Sequence, residues 1–456
     1  MREPAFRRLW TAGLISDTGD WLLLVALPVL VYQFTGSTLG TALAFLVELA
    51  PPILLGPVAG RLADRWDRPR ALLWVSVAQA AALLPLLAVG GRADLWIVYV
   101  VITVEAALAA LFDPSKNALL PTLVPAGELV GANSLLAVNS NLGRLVGGPL
   151  GGALLVVGGL RSIVAVDALS FLLAAVLIAR VRIPSHPCWS EPAGPVPEVR
   201  PGAARRGLGA GLAVTGVAAV GQGIFVVLFV PFVARALHGD AAETGLLRGV
   251  QAIGAIAAGL LVGTLARRSR AGALTAAGAA VLGLLELAIW NAPQVTRAEV
   301  LYAVLFVAAG APGTIFVTGL VSALQEAAPE HLRGRVFGLF GSVFAGGQAA
   351  GMLGAGLLGD RLGVVAVLNV QAGLYLAAAT AAALGMTGRS RGPGFTRRRS
   401  AARSARRRGR RAASVRGKSV RGPSRTRRTM LSVWVTRAPP RNGRRYPDAG
   451  TAAGLR

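Results

Sequence analysis

Four ionisable residues stand where an apolar chain has least reason to carry them. Asp20, Glu48, Glu105 and Arg144 each fall near the middle of a hydrophobic run. At ~1.5 Å of rise per helical residue, Asp20 lies ~17 Å from the start of its run and the other three ~15 Å from an end of theirs, which is bilayer mid-depth. An ionisable group held there costs at least ~2.5–3.5 kcal/mol and faces a cavity or a partner. Three carboxylates against one guanidinium leave an excess of carboxylate, and such a set can take up and release protons or recognise a cation. A closed Arg144–Glu105 pair would explain two of the four and leave Asp20 and Glu48 without a role. Asp17, Asp167, Arg248 and Glu286 are weaker candidates, because each lies closer to a run end or lacks an evident partner.

The elements that must position these residues are membrane spans. The chain of 456 residues is 54% hydrophobic and 15% charged, with mean hydropathy +0.59, too apolar for an ordinary soluble protein. Apolar runs of about 18–25 residues cover residues 9–33, 38–59, 71–90, 95–113, 134–157 and 162–181, then 208–233, 243–265, 272–290, 299–320, 336–358 and 363–386. The first is too long for a signal-peptide core and is expected to be retained. The expected fold is an all-α membrane protein of twelve transmembrane helices in two six-helix bundles. Its divisions are residues 1–182, a cytoplasmic linker 183–206 rich in proline and charge, residues 207–386, and a disordered basic tail 387–456.

The net charge of +26 is concentrated in that tail, which holds 22 Lys+Arg against the single acid Asp448, while the body holds 25 basic and 20 acidic residues. With the N-terminus inside, inner segments before the tail collect 18 basic residues and outer loops 5. The positive-inside rule therefore places both termini in the cytoplasm. The densest inner loop is GRLADRWDRPR, Gly60 to Arg70, with four arginines and two aspartates. Within it, Gly60 permits close helix approach, Asp64 is placed to face a helix N-terminus, and Arg65 and Arg68 are placed to reach Asp113.

An offset of 203 relates the two sets of runs: Gly13 to Gly216, Pro28 to Pro231, Gly60 to Gly263, Leu62 to Leu265, Gly148 to Gly351 and Gly151 to Gly354. Duplication explains this, and two parallel six-helix halves are the architecture of rocker-type secondary transporters. The same offset carries Asp20 to Gly223, Glu48 to Gln251, Glu105 to Ala308 and Arg144 to Gly347. The charges thus belong to the N-terminal half, facing a mostly apolar wall that offers Gln222, Gln251 and Gln348.

GRLADRWDRPR resembles the signature loop of the major facilitator superfamily. SDTGDWLLLVALP in the first run, FDPSKNALLPTLVP after the fourth and RLVGGPLGG in the fifth resemble its macrolide-efflux and secretion-effector branch, and the likeness covers residues 5 to 386. The resemblance implies that Asp64 locks the halves together on the cytoplasmic side in the outward-facing state, and its repeat counterpart Arg267 makes that gate asymmetric. It further implies that Gly147, Gly148, Pro149, Gly151 and Gly152 form the antiporter motif of exporters. Plain helix packing is the competing reading of those glycines. Two departures stand out: Asp67 replaces the usual glycine of the signature, and Glu105 replaces the arginine of the drug-antiporter motif.

Several function classes are excluded or disfavoured. The tripeptide Gly417 to Ser419 has Ala412 where a phosphate-binding loop needs glycine. One cysteine, Cys188, and the scattered His186, His238 and His331 offer no metal-ligand cluster, so no metal or cofactor is expected. The tail has almost no stacking aromatics (Trp434, Tyr446), so anionic lipid is its expected partner rather than nucleic acid. The expected function is export of an amphipathic or cationic small molecule from the cell by a monomeric plasma-membrane proton antiporter, not an enzyme. Uptake by proton or sodium symport, and a non-transporting membrane scaffold, are the alternatives.

Overall fold

The structure is a computed structural model that describes the backbone of residues 3–65, 67–124, 128–181, 201–265, 269–328 and 332–386; among these, the side chains of 57–61, 63–65, 118, 121, 129, 130, 137, 201–206 and 262–265 are not described. The helices are α1 (Pro4–Thr35), α2 (Thr38–Arg65), α3 (Arg68–Ala82), α4 (Leu95–Leu123), α5 (Leu129–Ala179), α6 (Pro201–Phe232), α7 (Ala241–Leu265), α8 (Ala271–Asn291), α9 (Glu299–Ala327), α10 (Arg333–Leu362) and α11 (Val364–Met386). All are apolar, and no strand occurs among the described residues. Residue 182, most of the linker (183–200) and the whole tail lie outside the described residues, whereas 201–206 already belong to α6.

Eleven segments are long and apolar enough to cross a bilayer, one fewer than the expected twelve, because the fifth and sixth runs form one 51-residue helix, α5. Straight, it would reach ~76 Å, over twice a hydrocarbon core. It folds back at Gly159, whose φ of 65° and ψ of −164° are open only to glycine. Ser162 Oγ closes the turn by donating to Leu154 O at 2.9 Å and Gly159 O at 2.8 Å. Both arms then run beside α1: Asn139 Nδ2 donates to Trp10 O at 2.8 Å, and Arg8 Nη1 to Arg180 O at 2.6 Å. The hairpin restores twelve crossings.

Local sequence sets the other boundaries. Pro85 lacks an N–H, and beyond it the third span continues as a 3₁₀ turn through Ala88. Asp67, the departure in the signature loop, is the N-cap of α3, its side chain accepting from Arg70 N at 3.2 Å. Gly36 ends α1 in the left-handed conformation, φ 62°, donating to Tyr32 O at 2.8 Å.

The helices pack as two corresponding sets. α1 pairs with the first arm of α5 as α6 does with α10; α2 pairs with α4 as α7 does with α9; α3 packs on α5 as α8 does on α11. Across the halves, α5 meets α7 and α2 meets α10, again a related pair. Gly147 and Gly151 lie against Thr18, Trp21 and Leu22 of α1 much as Gly347 and Gly351 lie against Gly216, Ala219 and Val220 of α6. The C-terminal half has an aromatic centre, with Phe232 edge-on to Trp290 at 4.8 Å and Phe229 to Phe306 at 5.4 Å. Outward-facing apolar side chains such as Leu54, Leu260 and Leu384 form the surface expected against lipid.

Candidate functional site: two cavities either side of the first helix

The four mid-depth charges do not share one site. Asp20, Glu48 and Glu105 line a cavity of about 240 Å³ with Gln79, enclosed by α1, α2, α3 and α4 of the N-terminal half. Arg144 lines a different cavity of about 500 Å³ between the halves, with Gln222, Gln251 and Gln348. The boundary is α1: Asp20 faces the first cavity and its neighbour Trp21 the second. The three acids thus line one chamber and the arginine another. Residue spacing gives depth along a helix but not which way each side chain turns relative to the other helices.

In the acidic chamber Asp20 is the most open of the three despite its mid-helix position, and Glu48 and Glu105 are half-buried. Glu105 Oε1 is buried with no hydrogen-bond partner among the described residues. A fourth carboxylate stands behind them. Asp167, fully buried on the second arm of α5, accepts from Ser170 Oγ at 3.1 Å through Oδ1 and leaves Oδ2 without a partner among the described residues. It occupies the space that a side chain at Gly19 would need, and it is a charged neighbour of both Asp20 and Glu105. Ranked low in the sequence, Asp167 had one legible signal, its position next to Ser170 by one helical turn.

The central cavity also brings in residues that spacing undervalued. Arg248 of α7 has rings rather than a carboxylate for partners: its guanidinium carbon is 4.8 Å from the Phe225 centroid and 5.5 Å from that of Phe229. Arg144 is 5.6 Å from the Trp21 ring. Glu286 is the one acid in the lining, and its Oε2 accepts from Gln371 Nε2 at 2.9 Å, with Trp290 Nε1 donating to Gln371 Oε1 at 3.0 Å. Tyr375 Oη donates to Gln222 Oε1 at 3.3 Å. The lining reaches Val321 of α9 and Phe344 of α10, the latter 38% exposed, toward the end of the bundle that carries Pro4.

At the opposite end the halves are clasped. Arg235, just past α6, reaches the other half by donating to Gly36 O at 2.7 Å, and it is held within its own half by Asp360 of α10 at 2.8 Å. Asp360 also caps α2 by accepting from Thr38 N at 3.0 Å, and Thr38 Oγ1 donates to Gly356 O at 2.9 Å. In the sequence Arg235 is one of the five outer-loop basic residues, and nothing in the spacing singles out Asp360.

The fifth-run glycines split between two neighbours. A side chain at Gly147 or Gly151 would strike α1, whereas one at Gly148 would lie 3.0 Å from Gly245 O and one at Gly152 would meet Ala241 O, both on α7. Gly249 opposite leaves room for the ring of Pro149. These residues thus bring α5 against α1 within its own half and α7 across the seam. Of the proposed gate, Gly60, Asp64 and Arg65 lie outside the described side chains. Asp113 is engaged by Lys116 at 3.2 Å, and Arg68 begins α3.

The sequence matches the transmembrane secretion effector family over residues 1–389. The chain belongs to that family, a branch of the major facilitator superfamily. It is 25% identical to Macrolide efflux protein A of Streptococcus pyogenes over 79% of this chain and 90% of that protein. It is 27% identical to the enterobactin exporter EntS of Salmonella typhimurium over 81% and 89%. A bacterial homologue of the iron transporter ferroportin, solved in an inward-facing state, superposes with a TM-score of 0.67 at 17% identity over 85% of this chain and all of that one. The last likeness concerns fold alone. As a secretion effector of this superfamily the protein is a multi-pass membrane transporter, not an enzyme.

Proposed function

We propose that the protein exports a small amphipathic molecule across the plasma membrane by alternating access, in exchange for protons, and that it works as a monomer with both termini in the cytoplasm. The observation that carries this reading is the pairing of an aromatic, amide-lined cavity between the halves with a separate carboxylate chamber inside one of them. In this orientation the central cavity faces the cytoplasm, and the hydrogen bonds from Gly36 and Thr38 of the first half to Arg235, Asp360 and Gly356 of the second close the outside. Rocking the halves opens the clasp, and the loop with Gly60, Asp64, Arg65 and Arg68 closes the cytoplasmic end near Asp113.

Protons and substrate occupy different chambers, so coupling works through states rather than by competition for one side chain. A proton on Asp20, Glu48, Glu105 or Asp167 and a substrate at Arg144, Gln222, Gln251 and Gln348 each favour one arrangement, and exchange requires only that they favour different ones. The names of two relatives, a macrolide efflux protein and an enterobactin exporter, support the outward direction. An uptake symporter would use the same chambers with the opposite preference, whereas a scaffold would have no use for either. The basic tail adds attraction to anionic cytoplasmic lipid.

The test is reconstitution into liposomes. Dye accumulation driven by an imposed pH gradient, abolished by a protonophore, is the expected result. Transport that persists after collapse of the gradient overturns proton coupling, and transport only in the direction of proton flow overturns export.

A further inference from the structure

The central cavity carries a charge that the proposed export reading does not use. Arg144 comes from α5 and Arg248 from α7, on opposite halves, and each lies within the other's electrostatic reach. No carboxylate oxygen comes within 4.0 Å of either guanidinium among the described residues. Arg144 Nε is buried without a hydrogen-bond partner among them. Glu48 is a charged neighbour of Arg248 from the other chamber, outside ion-pair distance. Glu286, the one acid in the lining, already accepts from Gln371. Two like charges facing one low-dielectric space repel each other, and an anion between them relieves that repulsion.

The surroundings favour a bound anion over a static pair of cations. Trp21 under Arg144 and Phe225 and Phe229 beside Arg248 hold the two guanidinium groups in place, and a guanidinium presents donors in the fork that matches carboxylate or phosphate oxygens. Gln222, Gln251 and Gln348 supply neutral hydrogen-bonding groups, and Phe316 and Phe344 supply apolar area for the rest of a molecule. A volume of about 500 Å³ is that of a site for an organic molecule of drug size rather than an inorganic ion.

We infer that the substrate is an amphipathic organic anion, with its acidic group taken between Arg144 and Arg248 and its aromatic or apolar body against the rings of the C-terminal half. Of the amphipathic or cationic substrate expected from the sequence, this keeps the first description: the carboxylates that suggested a cation line the other chamber. The inference rests on the reading of the protein as a transporter of small molecules. Because the two arginines belong to different halves, rocking changes their separation, so the anion is held more tightly in one state than in the other.

The test uses the full-length protein in lipid nanodiscs and three fluorescent probes: 1-anilinonaphthalene-8-sulfonate, its uncharged relative N-phenyl-1-naphthylamine, and the cation ethidium, each with empty nanodiscs as background. The anion should bind at least about tenfold more tightly than the neutral relative, and Arg144→Gln or Arg248→Gln should weaken it about tenfold while changing the neutral probe less than about twofold. Arg248→Lys, which keeps the charge, should recover part of the loss, and unchanged neutral-probe binding shows that each variant is folded. Equal affinity for anion and neutral probe, tighter binding of ethidium, or equal weakening of all probes in the arginine variants overturns the inference. Transport of the same probes by proteoliposomes separates this from the export reading. Anion-selective binding without transport leaves the site standing and rejects export, whereas ethidium transport unaffected by the arginine variants leaves export standing and rejects the anion site.

Discussion

The chamber that holds Asp20, Glu48 and Glu105 and the cavity that holds Arg144 and Arg248 share a wall, α1, yet are assembled differently. Every residue of the acidic chamber comes from helices of the N-terminal half, so rigid-body rocking leaves its internal distances alone and alters only its access to water. The arginines come one from each half, and the same motion moves them relative to each other. A site within one half can register a proton in either state. A site split across the seam registers which state the protein is in. The proposed exchange needs both kinds, and the neighbouring Glu48 and Arg248 are where the two chambers come into electrostatic reach.

The largest test of this division is to neutralise the acids and leave the cavity intact. Asp20→Asn combined with Glu105→Gln should lower pH-gradient-driven export by about tenfold or more, while anion binding and substrate exchange without a gradient change by less than about twofold. Parallel loss of binding and driven transport would show that the chambers are one functional site. A smaller effect is expected where they approach. In a double-mutant cycle of Glu48→Gln and Arg248→Gln, read as affinity for the anionic probe, the coupling energy should be about 0.5–1.5 kcal/mol, and additive effects would disconnect the chambers.

The sequence made the membrane architecture legible because apolar runs are long and the charges, prolines and glycines that break them are local. Pro85 and the glycine pair at Gly158 and Gly159 could be read directly, and the interruption between the fifth and sixth runs is the observed hairpin. The depth of Asp20, Glu48, Glu105 and Arg144 was also legible, since it depends only on rise per residue. The direction each faces was not, because all-round apolar helices carry little periodic signal about which side meets which neighbour. Arg248 was undervalued for a related reason: a search for carboxylate partners does not find Phe225 and Phe229, one turn apart on a different helix. Asp67 read only as a departure from a motif until its cap on Arg70 N was visible.

The clasp tests whether the arginines sense the state of the whole molecule. Arg235 and Asp360 belong to the same half and are 40% and 38% exposed, so what Arg235 adds across the seam is its bond to Gly36 O, ~1 kcal/mol or less, while Asp360 caps α2. Arg235→Gln should shift the population toward outside-open by a few-fold at most. With Cys188 replaced by serine, maleimide labelling of a cysteine placed at Gln251 and probed from outside measures that shift. If anion affinity changes in step with labelling, the split site responds to rocking; if labelling rises and affinity stays constant, it does not.

The smallest expected effect has the sharpest sign. Glu286 is the lone carboxylate lining the cavity, and the side chain that engages it, Gln371, is an amide able to serve as donor or acceptor. Above the pH at which its carboxyl ionises, Glu286→Gln therefore removes one negative charge while keeping a hydrogen-bonding group of the same shape for Gln371 to meet. If the cavity holds an anion, that change should tighten binding of the anionic probe about two- to threefold and leave the neutral relative unchanged, the scale expected of one charge acting at a distance through a high effective dielectric. If the cavity holds a cation, the same substitution must weaken its binding. Fluorescence titration of the single variant with both probes gives opposite signs for the two cases, and a mere loss of packing would lower both affinities together.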